Sequence, residues 1–180
     1  MSFTIEKNRH IFACWAASRA AGVSPLCRFK VEKGKEILDK VFGEDGQKAL
    51  DDSLKNNEKD FDKYHRELRQ DIINTEIVKM KSGELMSHGV AAKLINLYFK
   101  TIYICGNYKN DEGIKFIHPP IDSLLLESLK KNEENNKELW GKYKWSKMDS
   151  EQYQEVIDGI RKLNLEDGLW SIEKYWKGHQ

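Results

Sequence analysis

The chain is poor in the residues that interrupt helices and in those that cross-link small folds. Only three prolines and three cysteines occur among 180 residues. Cys14, Cys27 and Cys105 are too few and too widely spaced for a disulfide framework or a zinc finger, so a reduced cytoplasm is the expected location. No apolar run approaches a membrane span, and Asn8, Arg9 and His10 break the N-terminal segment before it could serve as an export signal. No glycine- or serine-rich linker, low-complexity tract or internal repeat divides the chain. Charge of one sign is also missing: Lys and Arg total 30 against 29 Asp and Glu, a formal net charge of +1. That balance excludes the global basic bias common in nonspecific nucleic-acid binders. Segregation is local. Arg19 to Lys35 holds five basic residues and one acid, whereas Glu44 to Asp62 holds seven acids and three lysines.

What is present is helical periodicity. Apolar residues recur at spacings of three and four, which predicts a single all-α domain over 1–180, a compact bundle of about eight helices. A first helix is expected from Glu6 to Ala21, with Ile11, Phe12, Trp15 and Ala16 as a buried face, stopped by Gly22 and the Ser24-Pro25 turn. A second over 31–42 places Ile37, Leu38 and Val41 on one side and ends at Gly43. A short polar helix is expected around Gln47 to Asn56. The fourth, over 60–79, carries Phe61, Tyr64, Leu68, Ile72 and Ile77 on one stripe and should be the longest. The fifth starts near His88 and runs through Ile102, apolar on most sides. Pro119-Pro120 keeps the chain extended before Ile121, and Asp122 stands where an N-cap belongs, ahead of a helix to about Lys131. Asp149 with Gln152 reads as a capping box for a helix bearing Tyr153, Val156, Ile157 and Ile160. A last helix over 166–176 is anchored by Leu169, Trp170, Ile172 and Trp176.

Two helix starts attract chemistry. Lys93 sits one turn inside its helix, where the positive end of the helix dipole disfavours the ammonium form and so favours a nucleophilic amine. Asp122 gains from the same dipole and from backbone N–H groups, which keeps it ionised and able to orient water, take a proton or stabilise a developing sugar cation. His88 opens the lysine helix and His118 lies four residues before Asp122, so both are candidate contacts to a substrate. His10 and Cys14 lie one turn apart and could reach Cys27, but no supporting ligand spacing accompanies them, and neither a metal nor a cofactor is expected. Core anchoring accounts for most of the five tryptophans; at Trp145 a strand contact stands beside the structural role, because Lys142, Lys144 and Lys147 surround it and aromatic-plus-basic composition suits a nucleic-acid strand.

The segment His88-Gly89-Val90-Ala91-Ala92-Lys93-Leu94-Ile95-Asn96-Leu97, with Pro120-Ile121-Asp122, resembles the core of the helix-hairpin-helix DNA glycosylase superfamily, especially its 8-oxoguanine-glycosylase-like bacterial branch. The tail, Tyr143 to Trp145, Tyr153 and Leu169-Trp170, is similar to that branch as well, so the likeness spans roughly residues 85–176, leaving 1–80 as N-terminal helices. The resemblance implies a DNA-binding N-glycosylase or lyase, with Lys93 and Asp122 catalytic and His88, Gly89, His118 and Trp145 as substrate contacts. Family hairpins usually carry a proline and two glycines, whereas this chain keeps Gly89 alone, and it has no four-cysteine cluster motif. The alternative reading is a noncatalytic module binding nucleic acid or protein on the same frame, and self-association is open on either.

Overall fold

The computed structural model describes residues 3–44, 46, 58–106, 112–132 and 136–178. Over these the chain is all-helical apart from a two-residue antiparallel ribbon. Helix α1 (Ile5–Ala21) begins at Thr4, whose side chain accepts from the Lys7 N–H, and ends at Gly22. The ribbon β1 (Val23–Ser24) and β2 (Cys27–Arg28) turns at Pro25 and leads into α2 (Val31–Phe42). Helix α3 (Glu58–Asn74) follows, then α4 (His88–Phe99), which passes into a π-helical turn over Lys100–Ile104. A 3-10 turn at Glu112–Phe116 precedes the extended His118–Ile121 approach to α5 (Ser123–Asn132). Helix α6 (Lys137–Lys142), a 3-10 turn at Trp145–Lys147, α7 (Ser150–Arg161) and a 3-10 segment at Leu169–Tyr175 complete the order. The short helix expected over Gln47–Asn56 lies outside the described residues.

Helix α4 is the axis of the bundle. Ten of its twelve residues are buried, and it packs against α1, α3 and α7. Its start is fixed by Ser87, whose hydroxyl accepts from the Val90 N–H at 3.3 Å and donates to the Ser146 carbonyl at 3.0 Å. That second bond ties the helix entrance to the Trp145 turn. The Asp149–Gln152 capping box is present in both directions, and Tyr153, Val156, Ile157 and Ile160 are all buried as the periodicity predicted.

Three expectations are corrected. Helix α1 is inverted: it buries His10, Ala13, Cys14, Ala17, Ser18 and Ala21, while Phe12 is 57% and Trp15 51% exposed. Small residues win the inner face because α2 comes very close there; a Cβ on Gly34 would lie 2.2 Å from the Ser18 Oγ. Helix α3 stops at Asn74 rather than Lys79 and equals α1 at 17 residues. The Thr75 hydroxyl donates to the Ile72 carbonyl, Glu76 adopts a left-handed φ of 53°, and Lys79 pairs with Leu85 in an isolated bridge. The last segment is 3-10, not α, though Leu169 and Ile172 anchor it as expected.

Candidate functional site

Lys93 projects from the second turn of α4 and Asp122 from the start of α5, and the two meet. The Lys93 Nζ donates to the Asp122 Oδ2 at 3.1 Å, with each residue only 8% exposed. Asp122 is also the N-cap that its position predicted, its Oδ1 accepting from the Leu125 N–H at 3.0 Å. The same carboxylate accepts from the Trp176 indole Nε1 at 3.2 Å. Below the lysine lies Trp145, its ring centre 4.7 Å from Nζ, a cation–π contact that holds the ammonium between a carboxylate and an aromatic face.

A second lysine extends the cluster. Lys100, seven residues beyond Lys93 at the start of the π-helical turn, pairs with Glu173 of the last segment. Burial pushes the Glu173 carboxyl above its usual range; the Lys100 pairing opposes that shift, and the nearby Asp122 charge adds to it. Beside Glu173, a surface hollow of about 610 Å³ opens between residues 163–167 and 170–174. Sequence reasoning missed Trp176, Lys100 and Glu173 as members of this site. The available signal was the seven-residue spacing of two lysines on an otherwise apolar helix, which puts them on one face.

Of the other expected contacts, only Trp145 joins the pair, and it does so as a buried wall, 8% exposed, rather than as an open stacking platform. Lys142, expected beside it, instead pairs with Glu155. Gly89 is turned inward: its N–H donates to the Met148 carbonyl at 3.2 Å, and a Cβ there would fall 1.7 Å from the Trp145 carbonyl oxygen. Its glycine identity serves close packing of α4 on the Trp145 turn. His88 is half-buried, and burial followed by Arg69 lowers its pKa.

His118 lies apart from the pair in a fully buried polar chain and cannot touch a substrate. Its Nε2 donates to the Asp62 Oδ1 at 2.9 Å and its Nδ1 accepts from the Tyr153 hydroxyl at 3.2 Å. The chain continues through Asn96. The Asn96 Nδ2 donates to the Tyr153 oxygen at 2.9 Å and to the Pro119 carbonyl at 2.8 Å, and its Oδ1 accepts from His65 at 2.7 Å. Arg69 then donates to the His65 Nδ1 at 2.6 Å.

His10 and Cys14 do form a potential ligand set, but with Asp39 rather than Cys27, all three ligand atoms lying within 4.8 Å of one another. Both His10 ring nitrogens already have partners, the Tyr98 hydroxyl at 2.8 Å and Asp39 at 2.9 Å. Burial pushes the Cys14 thiol up to about 12, so it is a neutral core group. Among the described residues no helix is long and apolar enough to cross a membrane. No protein-family model matches the chain, and no curated protein or solved structure matches it either.

Proposed function

We propose that the protein binds DNA and acts as a base-excision glycosylase or lyase of the helix-hairpin-helix type, with Lys93 as nucleophile and Asp122 as its proton acceptor. The observation that carries this reading is the 3.1 Å contact between Lys93 and Asp122 at the starts of two helices. A lysine is a nucleophile only once it has lost a proton, and an adjacent carboxylate is the group to take it. Asp122 accepts one ammonium proton, and the Nζ lone pair forms a bond to C1′ of the target nucleotide. The C1′–N bond breaks, its electron pair leaves with the base, and the base takes the proton that Asp122 had accepted. The C1′–O4′ bond then opens, O4′ gaining a proton as Nζ gives one up, which leaves an imine. Once it has passed that proton on, the Asp122 carboxylate balances the positive charge left on the lysine nitrogen.

Borohydride trapping tests this directly, using labelled duplexes carrying an abasic site, uracil or oxidised guanine, with Lys93→Gln alongside. The expected result is a covalent adduct that disappears in the variant. The abasic duplex requires no base recognition, so a folded protein that gives no adduct on it is not a lysine lyase.

One observation favours the noncatalytic alternative. The Gly89 amide, which a phosphate-binding hairpin would present to DNA, is already spent on Met148. On that reading Lys93 and Asp122 are a structural pair closing the α4–α5 junction.

A further inference from the structure

The outer face of α1 presents Ile5, Asn8, Phe12, Trp15 and Arg19 to solvent, a stripe with no acid in it. Phe12 and Trp15 lie side by side, ring centres 5.8 Å apart and planes 30° from parallel. At the C-terminal end of this stripe is a hollow of about 650 Å³, lined by Arg19, Arg28 and Lys30 as well as Ser18, and by one acid, Glu32. The hollow also takes in Val31 and Glu32, the first turn of the twelve-residue α2, whose N-cap Lys30 supplies no side-chain capping bond. Uncapped N–H groups at a helix start favour an anion. Ser18, 1% exposed, floors the hollow, its hydroxyl lying against Gly34 of α2 without a hydrogen-bond partner among the described residues.

We infer that this face is a docking surface for single-stranded nucleic acid, with a backbone phosphate in the Arg19–Arg28–Lys30 hollow and successive bases stacked on Trp15 and Phe12. A nucleotide strand supplies what the face requires: an anion beside flat rings at intervals of about one helical turn, roughly 5 Å. A lipid surface or a second copy of the chain would also cover the apolar stripe, and the test below separates both from a nucleotide strand. The surface extends the nucleic-acid reading of the protein without using Lys93, so the two can fail separately.

Fluorescence anisotropy of a labelled oligothymidylate of about twelve nucleotides, titrated at several salt concentrations, tests the inference. Trp15→Ser and Phe12→Ser are exposed changes, and circular dichroism confirms that each variant is folded. Each is expected to weaken binding about 5- to 150-fold. Arg19→Gln and Arg28→Gln should each flatten the logarithmic salt dependence by about 0.7. Unchanged affinity in Trp15→Ser overturns the inference. So does binding to anionic phosphatidylserine vesicles with none to the oligonucleotide, or a dimer that Trp15→Ser converts to monomer without any oligonucleotide binding.

Discussion

Lowering the pH from about 7 to about 5 should destabilise this fold by up to roughly 4 kcal/mol, through two histidines that the native state keeps neutral. His65 and His118 are fully buried, and burial is the leading cause that lowers both from an ordinary value of 6.5. Their hydrogen bonds fix the neutral form. His65 donates from Nε2 to Asn96 and accepts at Nδ1 from Arg69, so a second ring proton would point at a guanidinium. The two rings lie 4.5 Å apart, so charging one opposes charging the other. The unfolded chain binds these protons as pH falls through 6.5 and the native chain does not; stability is complete above that value and lost below it. A histidine that stays neutral when folded contributes about 1.9 kcal/mol of loss over this interval. His118 gains something from protonation beside Asp62, which reduces the loss, whereas half-buried His88, lowered by burial and by Arg69, adds a smaller loss of its own. Glu173 works in the opposite direction: raised by burial, it binds its proton more tightly when folded and adds stability as pH falls. Asp62 is raised by burial but lowered further by His118 and Arg161, and its contribution is lost only below its ordinary 3.8, outside the interval. Urea denaturation at each pH, in the unaltered chain and in Glu173→Gln, measures the loss. A change below about 0.5 kcal/mol in both proteins would refute the neutral-histidine account.

Replacing Gly89 by Ala should destabilise the protein by about 1–3 kcal/mol in a thermal or urea melt, because the new methyl must displace the Trp145 carbonyl from 1.7 Å. The displaced turn carries the ring under Lys93, so any trapping yield should fall with it; an unchanged melt would show that the turn yields freely. Asp149→Ala removes the side-chain half of the α7 capping box, leaving only the backbone N–H bond to Gln152, and should cost about 1 kcal/mol by urea denaturation. No loss in that variant would mean that water caps the helix equally well.

Local signals were legible in the sequence and tertiary choices were not. The Asp149–Gln152 box, the Asp122 cap and the Pro119-Pro120 break each depend on a few adjacent residues, and each stands where its chemistry puts it. Helix α1 shows the limit. Its periodicity supports two opposite apolar faces, and the larger side chains suggested that Phe12 and Trp15 face inward. Close approach of α2 at Gly34 instead selects Ala13, Ala17 and Ser18, leaving the aromatics outside. Trp145 shows the same limit: the lysines nearby in sequence left a strand contact open beside a structural role, and what decides is a lysine 52 positions away, Lys93, against which the ring is buried. Nothing local to residues 142–147 announces that partner.

The meeting of Lys93 and Asp122 has a cause outside the pair. A buried ion pair gives back in attraction little more than its desolvation costs, so it cannot by itself hold two elements together. Asn96, one turn beyond Lys93 on α4, bonds the Pro119 carbonyl three residues before Asp122, while His118 is held by Asp62 and Tyr153. This network clamps the extended approach against α4 and brings the carboxylate to the lysine as a consequence. Trp145 and Trp176 then close the pair from the aromatic side. The clamp, and not the charge attraction, therefore sets the geometry of the pair.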